Sequence, residues 1–102
     1  MSEQSKDRPR DLVVVGAKPT MNYVVACLTL FNAGAPKIRV RARGRHISKA
    51  VDVVEMLRRV FLKDVVVDDV ALGTEVLIDR NGKEANVSII EIRLTKPELL
   101  PE

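Results

Sequence analysis

The chain of 102 residues carries 17 Lys and Arg against 14 Asp and Glu, a formal charge of +3. That length suits one domain able to bury a core without metal, and the single Cys27 excludes an intrachain disulfide. No apolar run approaches the ~18 residues of a membrane span, and an aromatic content of 3% argues against a platform for stacking single-stranded bases. A polar start and a lone cysteine in an apolar pattern predict a soluble, cytoplasmic protein with Cys27 in the core.

In chain order, residues 1–10 (MSEQSKDRPR) read as a disordered arm with Lys6, Arg8 and Arg10 as mobile cations. Asp11 to Val15 predicts a short apolar strand. Gly16-Ala17-Lys18-Pro19 reads as a turn, with Thr20 as N-cap of a helix over Met21 to Ala33. Gly34 and Pro36 stop that helix. It is apolar almost all round, so one sheet face cannot serve it, and a two-fold partner is the simplest second burial surface.

The most informative stretch follows, KIRVRARGRHISK at 37–49. Lys37, Arg39, Arg41 and Arg43 alternate with Ile38, Val40 and Ala42, the period-two pattern of a strand with one apolar face. Gly44 breaks the strand, Arg45 follows, and a helix opens near His46. With no acid in the run, a cationic strand and a helix start form a surface suited to phosphate. The competing reading is a solvated strand face whose arginines pair with acids elsewhere. Polyanion binding is the stronger of the two, because such patches are the electrostatic footprint of nucleic-acid binders.

The second helix is predicted from near His46 to Phe61, with a core stripe of Ile47, Ala50, Val51, Val54 and Leu57. Val53, Met56 and Val60 form a weaker one. A long hairpin comes next: Val66, Val70, Leu72, Val76 and Ile78 alternate on one strand, and Ile90, Ile92 and Leu94 on the other. Asn81-Gly82 is the turn signal between them. Strands this long should overrun the core and project as an arm with Arg80 and Lys83 at its tip. The tail from Lys96, with Pro97 and Pro101, reads as flexible over 97–102. The order β-α-β-α-β-β predicts an α+β two-layer sandwich, a four-stranded mixed sheet with both helices on one face.

No catalytic constellation stands out, so an enzyme is not expected. The lone His46 lies among arginines, and one Cys with one His makes no ordinary zinc site. GAKPT lacks the GK[ST] ending of a phosphate-binding loop. No cofactor and no metal are expected.

The chain resembles the Alba family of small basic chromatin proteins over residues 11–96. The motifs are GAKPTMNYV at 16–24, ACLTLFNAG at 26–34, RARGRHISKAVD at 41–52, RRVFL at 58–62, and the Asn-Gly hairpin before VSIIEIRL at 87–94. The resemblance implies a dimer that coats or compacts double-stranded DNA with little sequence preference, associated with the chromosome. RNA binding within a ribonucleoprotein is the alternative. The resemblance maps nucleic-acid contact onto Lys18, Arg41, Arg43, Arg45, Arg80, Asn81 and Lys83, to which the basic run adds Lys49, and a dimer–dimer contact onto Phe61. Two departures stand out. Ala17 replaces the first of the loop's two usual lysines, so the family's reversible acetylation there is not carried over. Glu84 and Asn86 make the hairpin less basic. Both suit a paralogue working as a heterodimer with a more basic partner, beside the homodimer.

Overall fold

A computed structural model describes residues 11–101; the arm read over residues 1–10 lies outside them. The elements are β1 (Leu12–Val14), α1 (Thr20–Asn32), β2 (Lys37–Arg43), α2 (Ile47–Met56), β3 (Val66–Ile78) and β4 (Glu84–Thr95). A 3-10 turn, Gly44–His46, leads into α2, and a π-turn, Leu57–Phe61, extends it. The sheet order is β1-β2-β4-β3, with β1 and β2 parallel and β4 antiparallel to both its neighbours. This is the predicted α+β sandwich on a mixed four-stranded sheet.

Alternation on β2 and β4 builds the core. Ile38, Val40 and Ala42 lie opposite Leu94, Ile92 and Ile90, and all six are buried. Val24, Cys27 and Phe31 of α1 and Ala50, Val53, Val54 and Leu57 at α2 pack on that face in one cluster. Each buried Val, Leu, Ile or Phe among them contributes roughly 1.5–3 kcal/mol by leaving water. Burial pushes the Cys27 thiol up to about 12, so it is an inert apolar filler.

Several local expectations are corrected. Thr20 is the first helical residue of α1. Pro19 takes the capping position in extended conformation, without a side-chain bond, because its ring already fixes a suitable φ. In α2, Val53 is fully buried while Val51 is 43% exposed. Residues 50, 53, 54 and 57 make the i, i+3, i+4, i+7 stripe that meets the sheet. At the C-terminus of α1 the expectation holds: Gly34 adopts φ 99, and the Ala35 N–H reaches the Leu30 carbonyl at 3.1 Å.

The hairpin contains two further differences. A register shift between Val67 and Asp69 places Val67 opposite Leu94 and Val70 opposite Ile92. One inserted residue reverses the alternation, so Val66 leaves the face that Val70 and Leu72 share. The tip is a five-residue loop, Asp79 to Lys83, in which only Gly82 has positive φ, at 78°. The Gly82 N–H bonds the Asp79 carbonyl, and Asp79 Oδ1 accepts the N–H groups of Asn81 and Lys83 at 2.8 and 2.9 Å. Asp79 thus builds a turn that ends on a left-handed glycine, at the place Asn81-Gly82 marks in the sequence.

The hairpin does overrun the core. Every residue from Leu72 to Ile78 is exposed, and the radius of gyration is 15.0 Å, against about 13 Å for a compact domain of this length. Residues 97–99 of the expected tail form a 3-10 turn with Leu99 against the core. Lys96 Nζ anchors it, donating to Asp64 at 2.8 Å and Glu98 at 2.6 Å. Ile38→Ala, which empties space where β2 meets β4 and the helices, is expected to lower unfolding free energy by about 2–5 kcal/mol. Urea denaturation followed by circular dichroism measures the loss.

Candidate nucleic-acid interface

Strand direction gathers most of the candidate residues at one end of the sheet. Because β1 and β2 are parallel, the loop carrying Lys18 and the turn carrying Arg45 leave the sheet on the same side. Arg43, the last residue of β2, lies opposite Ile89, so Glu84 to Ser88 run on past it in the same direction. At about 3.4 Å per residue, the tip with Arg80, Asn81 and Lys83 stands some 17–20 Å beyond the base formed by Lys18, Arg43 and Arg45. Phe61 is not part of this end. The helix α2 runs back from it, and with its π-turn carries Phe61 roughly 20 Å away.

The strand arginines have carboxylate partners. Arg39 makes a two-pronged contact with Asp11, at 3.0 and 3.2 Å. Arg41 reaches Glu91 at 2.7 Å, Arg43 reaches Glu75 at 2.9 Å, and Arg93 bridges Glu91 and Asp69 at 2.8 and 3.0 Å. The competing reading of this strand, arginines paired with acids elsewhere, is therefore what the outer sheet face shows. The partners come from β3, β4 and Asp11, invisible until the register is known.

Pairing is graded along the strand. Glu91 sits among Arg39, Arg41 and Arg93 and is mostly shielded, while Arg43 and Glu75 are both about half exposed. An exposed pair is held by little net energy and opens readily to another anion. Beyond the strand, Lys18, Arg45, Arg80 and Lys83 are exposed, and none has a carboxylate within 4.0 Å among the described residues. The helix α2 opens beside them without an acidic residue in its first turn or a side-chain cap, with His46 at the capping position.

Lys49 differs from the rest. Its Nζ donates to the carbonyls of Gly16 and Lys18 at 2.9 and 2.7 Å, tying α2 to the β1–α1 loop. The Tyr23 hydroxyl accepts the Lys18 N–H at 3.1 Å from the other side. In the sequence Tyr23 is an ordinary helix aromatic, and Glu91 and Arg93 are ordinary strand residues. Their five-residue and cross-strand separations gave no local signal.

Among the described residues, no group of three or more His, Cys, Asp or Glu could hold a metal ion, and no helix is long and apolar enough to cross a membrane. Fold and charge together define a small α+β protein with a cationic sheet end and a projecting arm. The chain belongs to the Alba family, whose model matches residues 11–74. It is similar to the DNA/RNA-binding protein Alba of Methanothrix thermoacetophila, 57% identical over 86 residues, which are 84% of this chain and 96% of that protein. DNA/RNA-binding protein Alba 1 of Archaeoglobus fulgidus is 56% identical over 82% of this chain and 93% of its own. Among solved structures, Alba from Thermoplasma volcanium superposes with a TM-score of 0.78 at 50% identity, covering 82% of this chain and 98% of that one. ALBA1 from Trypanosoma brucei gives 0.72 at 33% identity, over 88% of this chain and 72% of that one.

The hydrogen bonds from Arg41 and Arg93 hold the Glu91 carboxyl below its ordinary value of 4.5, and those from Arg39 lower Asp11 in the same way. A depressed carboxylate stabilises the fold fully above its unfolded value and loses that contribution as pH falls through the folded one. Thermal stability should accordingly decline below about pH 4.5 through this network. Glu91→Gln is expected to lower the melting temperature at pH 7 and to flatten the acid limb, as read by calorimetry across a pH series.

Proposed function

We propose that the protein binds double-stranded DNA without sequence preference, as a dimer that coats or compacts the duplex on the chromosome in the cytoplasm. One observation carries this reading. Exposed cations with no carboxylate partner among the described residues lie at one sheet end (Lys18, Arg45) and on the arm that projects from the same end (Arg80, Lys83). A cationic base and a long arm that presents Arg80 and Lys83 beside its own acids suit a backbone followed by charge, with the arm reaching into a groove. The names of the similar proteins, DNA/RNA-binding, point the same way. Arg41 and Arg43 join the contact by exchanging a carboxylate for a phosphate, and Asn81 adds a hydrogen bond at the tip. RNA is the alternative ligand that those names support.

Dimerisation is supported by the apolar row Val70, Leu72, Val76 and Ile78, all exposed and Leu72 at 80%. It continues the helix-side face of the sheet beyond the chain's own helices, and an uncovered row of that kind marks an interface. The far-end Phe61, 43% exposed beside Val60, is separate from that row and suits contact between neighbouring dimers. The partner is a second copy, or a more basic paralogue in a heterodimer.

Fluorescence anisotropy of a mixed-sequence duplex across a salt series, with structured RNA of equal length as competitor, tests the ligand. Steeply salt-dependent binding that resists the RNA is expected, and preferential loss to the RNA would move the assignment to a ribonucleoprotein. Arg45→Ala should weaken all duplexes about equally and flatten the salt slope by ~0.9 per protomer. Arg43→Ala should cost less, because Arg43 must first leave Glu75. In sedimentation equilibrium, Leu72→Glu is expected to give monomers, while Phe61→Ala remains dimeric and loses only cooperative loading on long duplexes.

A further inference from the structure

Lys18 stands out in the way its own backbone is held. Its N–H is bound by the Tyr23 hydroxyl at 3.1 Å, and its carbonyl accepts from Lys49 Nζ at 2.7 Å. The same ammonium holds the Gly16 carbonyl at 2.9 Å. The loop is thus clamped from both helices, by Tyr23 in the first turns of α1 and Lys49 in the first turn of α2, while the Lys18 side chain stays exposed.

The placement of Lys49 has an electrostatic consequence. A cation in the first turn of a helix faces the positive end of the macrodipole and is unfavourable there. Lys49 is half-buried, and no carboxylate lies within 4.0 Å of it among the described residues. Two loop carbonyls supply the negative partial charge instead, using two of its three N–H donors. Its charge is engaged inward, toward the loop.

We infer that Lys49 is a positioning residue, the strut that with Tyr23 fixes the β1–α1 loop so that Lys18 meets the phosphate backbone preorganised, and that it makes no phosphate contact of its own. This rests on the nucleic-acid reading given above and deepens it. Ordering a loop in advance removes an entropic penalty otherwise met on binding. The sequence gives both lysines equal standing as cations. The geometry gives them different work.

The test is a double-mutant cycle on duplex binding across a salt series, with Lys18→Ala, Lys49→Met and Tyr23→Phe made singly and each of the last two combined with Lys18→Ala. Alone, Lys49→Met and Tyr23→Phe are each expected to weaken binding, roughly two- to tenfold for a loop freed to move. Tyr23→Phe does so with no change of charge. In the Lys18→Ala background neither should change affinity or salt slope further. If Lys49→Met there still weakens binding and removes another ~0.9 from the slope, Lys49 touches phosphate itself and the inference is overturned. Amide hydrogen exchange on the protein without nucleic acid gives a separate readout. Faster exchange at the Lys18 N–H in Lys49→Met and Tyr23→Phe is expected, and unchanged exchange would remove the strut. Since exchange needs no ligand, a protein that bound no duplex would sink the nucleic-acid reading while leaving the clamp measurable.

Discussion

Ile38, Val40 and Ala42 face Leu94, Ile92 and Ile90 across the β2–β4 pair, and the register that buries these six side chains places almost everything else. A slip of one residue would turn the apolar row outward and the arginines into the core, so hydrophobic burial specifies the pairing strongly. The same register sets Arg43 opposite Ile89 and thereby decides how far the hairpin overhangs. It also brings Glu91 between Arg39, Arg41 and Arg93. The proposed interface is a by-product of core packing: cations occupy what the core leaves outside and what the hairpin carries beyond it.

The outer sheet face and the sheet end then divide the basic residues between two kinds of work. Over the face, Arg39, Arg41 and Arg93 are neutralised by a shared glutamate and two aspartates, a network that holds strands together. Toward the end, pairing loosens at Arg43 and stops at Arg45 among the described residues. The net charge of +3 is distributed unevenly, because the face pairs its arginines with acids and the base around Lys18 and Arg45 does not among the described residues. In the proposed complex the cations that lack a carboxylate partner among the described residues, at the end and on the arm, meet phosphate directly, and the paired ones join by exchange at contact.

The loop between β1 and α1 shows how a short segment gains precision without burial. It has no core of its own, yet side chains from both helices hold its backbone, and Pro19 stiffens its exit. A cation presented this way differs in entropy from one on the hairpin tip, where Asp79 organises the turn and the strands beneath are exposed on both faces. Base and arm thus differ in what holds their backbone as well as in position.

Local pattern alone determined the elements. Alternation in KIRVRAR marked β2 and its buried face, Gly34 and Pro36 ended α1, and Asn81-Gly82 located the hairpin tip. Each of these signals acts within a few residues, where backbone sterics and side-chain period dominate. Tertiary structure decided what depends on partners distant in sequence. Asp11 and Glu91 meet Arg39 from 28 and 52 positions away, and Lys49 meets Gly16 across 33. The inserted residue at Asp68 shifted the phase of β3, and helix seating chose Val53 over Val51 for the core. The sequence could say that Arg41, Arg45 and Lys49 are cations on one surface. Only the fold could say that the first is paired, the second without a carboxylate partner among the described residues and the third turned inward, because charge is a property of the residue and its availability a property of the neighbours.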